Sequence, residues 1–174
     1  MSLIRLTDDR PLIEANRWAH IADDAPLPVG AAATVSLERW KAEREALSAR
    51  NAPVGVRLRS DQRVEEIAED LPGLPMIALE FPTLADGRPF TSARLLRERH
   101  GYRGEVRATG AVLRDQLFFM ARCGFDAFEL APGKDTDGAH KAFGEISVVY
   151  QPAADRRVPA STLRVQAVQA TAAE

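Results

Sequence analysis

From residue 53 onward, short apolar runs alternate with longer segments in which apolar positions follow a helical period. The apolar runs are predicted strands: Val54 to Leu58, Met76 to Phe81, Glu105 to Thr109 and Phe125 to Leu130. Strands that alternate with amphipathic helices are typical of βα units, in which the strands lie parallel. We therefore predict an α/β fold with a mainly parallel sheet of about four to five strands. An open sheet is favoured, and a partial barrel is the alternative because it has the same alternation.

Helix signals lie before and between these strands. Ser36 is a predicted N-cap of a helix that runs to about Ala49. The clearest helical period lies over 111–123, and Gly124 is the predicted glycine at its C-terminal end. The apolar positions of that period are Leu113, Leu117, Met120 and Ala121. Shorter helices are predicted over 63–70, from Thr91 or Ser92 to Arg99, and over 139–144.

The two ends of the chain follow other patterns. Leu3 to Leu6 and Leu12 to Ile13 are apolar segments on either side of a polar turn that ends in Pro11, which predicts a small N-terminal hairpin. Ile146 to Tyr150 is a predicted last strand of the single domain, residues 1–150. Residues 151–174 are rich in Ala and Gln with little periodicity, and we expect a mobile C-terminal tail.

Composition narrows the class of protein. The chain has 174 residues, of which 45% are apolar and 28% charged, and these values are typical of one globular domain. The net charge is -2, whereas a general nucleic-acid binder is expected to have an excess of basic residues, so this class is disfavoured. A single cysteine, Cys123, cannot build a disulfide framework or a four-cysteine zinc or iron–sulfur site. No long apolar run and no export signal is present, so we expect a cytoplasmic protein without a membrane partner.

Charge is distributed unevenly within this neutral total. Residues 61–87 contain seven acids and one arginine, a balance of -6, whereas residues 88–122 contain eight arginines and three acids, a balance of +5. Parallel α/β sheets bind ligands beyond the carboxyl ends of their strands. The predicted loops at that end are 82–90, 109–116 and 131–138. We therefore predict an anion site there, where guanidinium groups and free backbone N–H groups meet.

The predicted anion-binding residues are Arg88, Arg94, Arg107, Thr109, Gly110 and Arg114. At several of these positions, a structural role is an alternative to anion binding. Arg107 lies on a predicted interior strand, where a buried guanidinium needs a partner that Glu105 or Glu129 could supply. The helical arginines could form a solvated face, and Arg88 could belong to an ordinary turn with Asp86.

Reactive side chains give weak signals. Cys123 is a candidate redox residue, but its place in the last turn of a helix disfavours the thiolate. The three histidines, His20, His100 and His140, lack metal-ligand spacing, so no metal site is predicted. No glycine-rich nucleotide loop and no serine-hydrolase motif is present, and the cofactor therefore stays unknown.

Several short motifs lie along the chain: Phe81-Pro82, Asp86 to Arg88, Ala93 to Arg99, Gly101 to Glu105, Val112 to Leu117 and Arg122 to Phe128, with Asp9 to Pro11 and Tyr150 to Pro152. Together they closely resemble a bacterial family, domain-of-unknown-function family 934. The resemblance covers nearly all of the chain except the tail. It implies a cytoplasmic protein described as a probable oxidoreductase of sulfite reduction, since such proteins are encoded beside assimilatory sulfite reductase. The family supplies no established catalytic residue.

Three functions follow from this resemblance. Sulfite reduction needs six electrons, and a chain with one cysteine cannot hold the usual iron–sulfur centre by itself. We therefore expect an accessory protein of sulfur assimilation, which docks to sulfite reductase or binds a sulfur oxyanion. The alternatives are a small redox enzyme that uses a bound flavin or Cys123, and a non-catalytic partner subunit of the reductase or of a homo-oligomer.

Overall fold

Eight strands form one mixed sheet in the computed structural model, which describes residues 2–7, 10–83, 85–130, 136–155 and 157–171. The strands are β1 (Ser2–Thr7), β2 (Arg10–Ala15), β3 (Ala19–His20), β4 (Ala33–Ser36), β5 (Val54–Leu58), β6 (Met76–Phe81), β7 (Glu105–Gly110) and β8 (Ala127–Glu129). Their order across the sheet is β2-β1-β8-β7-β6-β5-β4-β3. From β3 to β8 neighbouring strands are parallel, whereas β1 is antiparallel to both β8 and β2.

This sheet confirms the α/β class and corrects its size. The four predicted strands form its centre, and the predicted N-terminal hairpin extends it at one edge through β1. The sequence prediction of four to five strands is wrong because it missed β3 and β4 and did not join the hairpin to the sheet. β3 has only two residues, too few for an alternating pattern, and β4 lies directly before the capped helix.

The connection between β2 and β3 forces the sheet to curl. These two strands are its opposite edges, yet only residues 16–18 join them. A flat sheet of eight strands would hold its edges about 34 Å apart, at about 4.8 Å per strand. Four residue steps span at most about 14 Å. The sheet therefore closes into a half-barrel, and the favoured open-sheet prediction is corrected to the partial-barrel alternative.

The two faces of the curled sheet differ in chemistry. Strand register aligns Leu58, Leu79, Ala108, Phe128 and Ile4 in one row, and all five are buried in the main core. Side chains of alternate residues point to opposite faces of a strand, so Arg107 lies on the inner face. Its neighbours in register there are Ala78 and Ala127, whose small side chains leave space for a guanidinium group.

Helices and turns connect the strands. The α-helices are α1 (Leu37–Ser48), α2 (Arg88–Arg94), α3 (Leu117–Cys123), α4 (Thr136–Ala139) and α5 (Ala160–Thr171). Ser36 caps α1 as predicted, because its side chain accepts a hydrogen bond from the N–H of Arg39. Gly124 ends α3 in the left-handed conformation, also as predicted. Within the described residues, no helix combines the length and apolar character needed to cross a membrane.

Three predicted helices have different bounds. The predicted helix over 111–123 is helical only from Arg114, first as a 3₁₀ turn and then as α3, because extended backbone carries Val112 into the core. Residues 63–70 form a 3₁₀ turn, Val64–Ile67, instead of an α-helix. The helix expected from Thr91 or Ser92 starts at Arg88, with Pro89 in its first turn, and continues as a π-helical segment, Leu95–Arg99.

The predicted strand near the C-terminus also needs correction. Within the described residues, the predicted strand Ile146 to Tyr150 makes only one isolated bridge, between Val149 and Pro159, and Ile146 and Val148 are exposed. The segment expected as a tail contains α5, whose described side chains from 161 to 170 are all exposed. The mobility of this segment stays a prediction.

A substitution of Gly110 tests the close pairing of β7 with β6 at Phe81. The φ of Gly110, +86°, favours glycine, and an added Cβ would collide with the carbonyl oxygen of Phe81. Gly30 is a matched control, because its φ is +69° but the space around it is open. Both alanine variants have the cost of left-handed backbone, about 1–2 kcal/mol, and Gly110→Ala adds about 2 kcal/mol for the collision. Urea unfolding of the two variants measures this difference, and equal unfolding free energies would contradict it.

Candidate functional site

A chain of charged and polar side chains crosses the inner face of the half-barrel. Arg107 is completely buried at its centre and donates hydrogen bonds to Glu105 and Glu129, at 2.6 and 2.7 Å. It also donates to the side-chain oxygen of Asn16, at 2.7 Å. Asn16 belongs to the connection between β2 and β3, so that connection is held directly against the buried charge.

His20 extends this chain to the far edge of the sheet. Its Nε2 lies 2.8 Å from a carboxylate oxygen of Glu129, and its Nδ1 lies 2.5 Å from the hydroxyl oxygen of Thr34. At the other end, Arg5 pairs with Glu105 and Glu14. We call this set the inner polar chain; in order its members are Glu14, Arg5, Glu105, Arg107, Glu129, His20 and Thr34. It connects six of the eight strands.

The electrostatics of the inner polar chain favour a charged Glu129. Burial alone would raise the pKa of this carboxyl, but the hydrogen bond and charge of His20 and of Arg107 outweigh burial and lower its pKa. A lowered pKa keeps the carboxylate ionised, which the buried guanidinium of Arg107 requires. The pair of opposite charges is therefore retained at neutral pH.

The inner polar chain is poorly placed for catalysis. A hydroxyl, an imidazole and a carboxylate in sequence resemble the arrangement of a nucleophilic triad. However, only 1% of Thr34 is exposed, and only 4% of the Glu129 side chain, so no substrate reaches either group. The described residues contain no group of three His, Cys, Asp or Glu that could hold a metal ion. We interpret the chain as the interaction that closes the half-barrel.

The predicted anion-binding arginines lie apart from one another. Arg88 donates to both carboxylate oxygens of Asp86 and lowers the pKa of that group. Arg94 pairs with Glu98 one helical turn later, and Arg114 pairs with Glu145. Arg107 belongs to the inner polar chain. Each of the four therefore has a carboxylate partner.

The remaining residues of the predicted anion site, Thr109 and Gly110, have structural roles in the backbone of β7. Thr109 is buried, and its hydroxyl donates a long hydrogen bond, 3.4 Å, to the carbonyl of Leu79. Gly110 allows the turn after β7. Of the third predicted loop, 131–138, residues 131–135 lie outside the described residues. Oxyanion binding at these positions stays a prediction.

Arg97 is a partly buried arginine with a structural role, although the sequence analysis considered a solvated face for the arginines of its helix. Its guanidinium donates to the backbone carbonyls of Gly124, Tyr102 and Gly104 and to the carboxylate of Asp126. It thereby ties the π-helical segment to the starts of β7 and β8. Burial raises the pKa of Asp126 to about 6, although Arg97 and the N–H of Val106 oppose that change.

An apolar cleft of about 690 Å³ lies along α3 and residues 146–154. We call it the outer groove. Four of its large apolar side chains are exposed: Phe119, Ile146, Val148 and Tyr150. Cys123 lines the same groove, and burial raises the pKa of its thiol despite the charges of Arg94 and Arg122. A raised pKa keeps the thiol protonated at neutral pH, so nothing here favours thiol catalysis.

The sequence reading missed both the inner polar chain and the outer groove. The inner polar chain joins residues as far apart as His20 and Glu129, and no local spacing connects them. The outer groove did leave a signal, since the period-two pattern of residues 146–150 predicts one apolar face. That face was assigned to a strand in the sheet, whereas it lies on the surface.

Comparison with known protein families gives a match over more than half of the chain. Residues 55–161 match the family model described as "Bacterial protein of unknown function (DUF934)". The match includes β5 to β8, α2, α3 and the outer groove, and it ends at the second residue of α5. No curated protein matches the chain.

Removing the charge of Glu129 tests the inner polar chain. Glu129→Gln keeps the shape but takes one carboxylate from the buried Arg107, so we expect a loss of about 3 kcal/mol in the free energy of unfolding. Glu145→Gln is the matched control, since its partner Arg114 is half-exposed and such pairs contribute about 0–1 kcal/mol. Urea unfolding at neutral pH measures both.

The pH dependence of the same variant separates charge from shape. Because the pKa of Glu129 is lowered in the folded protein, its contribution is present above the unfolded pKa and is lost as pH falls through the folded value. The difference between wild type and Glu129→Gln should therefore narrow in acid. A difference that does not change with pH would contradict an electrostatic role.

Asp126 should give the opposite dependence. Its folded pKa of about 6 lies above the usual 3.8, so between these values the folded state binds a proton that the unfolded state has released. Stability from this group is therefore greatest below about pH 4 and falls as pH rises through 6. Between about pH 4 and pH 6, the unfolding midpoint of the wild type should fall relative to that of Asp126→Asn. A constant difference between the two midpoints over this range would contradict a raised pKa of Asp126.

Proposed function

The chain belongs to the DUF934 family of bacterial proteins of unknown function, and on that premise we propose an accessory protein of assimilatory sulfite reduction. In this proposal the protein is cytoplasmic and docks to sulfite reductase through the outer groove. The observation that carries the docking step is the set of exposed apolar side chains around one cleft.

The pathway part of the proposal rests on the family resemblance and on the chemistry of the chain. Proteins of this family are described as encoded beside assimilatory sulfite reductase. Six electrons are needed to reduce sulfite, and a single cysteine cannot ligate the iron–sulfur centre that usually carries them. A role beside the reductase therefore suits the chain better than the reduction itself.

The surface supports docking over the other roles. Tyr150 is 85% exposed and Phe119 is 57% exposed, and both lie at the same groove as Ile146 and Val148. Large apolar side chains that gather at one exposed site mark interaction surfaces in soluble proteins. Aromatic side chains also contribute most to the binding energy of such surfaces.

Docking is also better supported than oxyanion binding at the arginines near the strand ends. Arg88, Arg94 and Arg114 each face a carboxylate in this protein. An incoming sulfur oxyanion would have to compete with that carboxylate for the guanidinium. The outer groove has no such competitor for its apolar surface.

A binding measurement with purified assimilatory sulfite reductase tests the proposal. We expect the double variant Phe119→Ser, Tyr150→Ser to weaken the complex at least about tenfold, because each change removes an aromatic anchor from the groove. Leu12→Ser is the control, since Leu12 is 55% exposed but lies on β2, outside the groove. Isothermal titration calorimetry gives the three dissociation constants.

Two results would contradict docking through the outer groove. One is the absence of a complex between wild-type protein and reductase at low salt. The other is an equal loss of affinity in the Leu12 control and in the groove variant. Gene deletion then tests the pathway: we expect slow growth on sulfate and on sulfite but normal growth on sulfide, and normal growth on all three would overturn the assignment.

A further inference from the structure

A second cleft lies on the other side of Phe118 and Arg122 from the outer groove. We call it the arginine cleft; its volume is about 490 Å³, within the range of small-molecule sites. Four arginines line it: Arg97, Arg103, Arg122 and Arg157. Three of them are largely buried, with 16%, 12% and 24% of the side chains of Arg97, Arg122 and Arg157 exposed.

The charges around the arginine cleft do not cancel. Among the described residues, two acids line it, Asp126 and Asp155, against four guanidinium groups. Asp126 accepts a hydrogen bond from Arg97, at 2.6 Å. Arg122 and Arg157 share Asp155, and Arg103 has no hydrogen bond or ion pair within the described part of the chain. The cleft therefore holds a net charge of about +2 in a partly desolvated site, where electrostatic interactions are strong.

The guanidinium groups of Arg122 and Arg157 lie beyond hydrogen-bond distance of the carboxylate that they share, since their nearest nitrogens are 3.6 and 3.8 Å from Oδ2 of Asp155. Within the described residues, the guanidinium of Arg157 donates only long hydrogen bonds, 3.3 and 3.4 Å, to the carbonyls of Ile146 and Phe143. A closer and more highly charged acceptor would satisfy these donors better.

The walls of the cleft are apolar and aromatic. Phe125 and Phe143 are buried side chains that line it, and the guanidinium of Arg157 lies 5.2 Å from the ring centre of Phe118. Guanidinium groups on aromatic rings stay in a fixed plane, which suits bidentate recognition of a tetrahedral oxyanion. The arginine cleft thus combines excess positive charge, fixed donors and space for an apolar group.

We propose that the arginine cleft binds a doubly charged tetrahedral oxyanion, either free or as the end group of a monoester. A dianion matches the excess of two positive charges, and a phosphate monoester carries about -1.5 to -2 at neutral pH. Arg103 is the entry-side donor, because it is exposed and no described residue pairs with it. The apolar walls accommodate the organic part where one is present.

This site differs from the anion site predicted at the strand ends. None of Arg88, Arg94, Arg107 or Arg114 lines the arginine cleft. The inference also stands apart from the docking proposal, since the oxyanion contacts Arg103 and Arg157, which do not line the outer groove. Either proposal can fail without the other.

Calorimetric titration with inorganic phosphate and with phenyl phosphate, at one fixed ionic strength, tests the inference. We expect saturable binding of at least one probe to the wild-type protein. Arg103→Ala should weaken it at least tenfold, and Arg103→Lys should restore part of the affinity because it returns the charge without the bidentate fork. Arg99→Ala removes one exposed positive charge outside the cleft and is the control.

The two probes distinguish the source of the oxyanion. Equal affinities indicate a free anion, whereas tighter binding of phenyl phosphate indicates a monoester whose organic part contacts the phenylalanine walls. The absence of saturable heat with both probes would overturn the proposal. Equal losses in Arg103→Ala and Arg99→Ala would overturn it as well, since that result is expected of nonspecific attraction by net charge.

Discussion

The three-residue connection between the two edge strands is the constraint on which the rest of this structure depends. It brings β2 and β3 together and so closes the sheet into a half-barrel. The curl in turn places His20 beside Glu129, although four strands separate them in the order of the sheet. Without that closure, the completely buried Arg107 would lose Asn16 and would lie on an open face.

The inner polar chain explains why the interior of the half-barrel is not a binding site. Each buried charge in it requires an opposite charge at hydrogen-bonding distance, because a buried ion without a partner is costly. Satisfying that requirement uses the side chains that a ligand would need, and the inner face is closed to substrate. The two clefts considered for recognition are on the outside, along α3 and residues 146–155. Two clefts of different chemistry meet there at Phe118 and Arg122.

The arginines illustrate why local charge counts mislead. Residues 88–122 carry a surplus of five positive charges, yet Arg88, Arg94, Arg107 and Arg114 all have carboxylate partners. Several of those carboxylates lie outside the segment, such as Glu129 and Glu145. The charge surplus along the sequence is thus neutralised in space, whereas Arg103 and its neighbours keep theirs because only two acids of the described residues line their cleft.

By itself, the sequence determined the elements whose signals are local. The strands from β5 to β7, the Ser36 cap, the N-terminal hairpin and the glycine at the end of α3 depend on neighbouring residues, and all were predicted. The tertiary structure alone decided the closure of the sheet and the partners of each charge. Those features join residues up to 113 positions apart, as Asn16 and Glu129 are, and no period or motif records such a pairing. The curl of the sheet is set by the length of the connection at residues 16–18. That length constrains the sheet only because the connection joins its two edge strands, and the strand order is not known from the sequence.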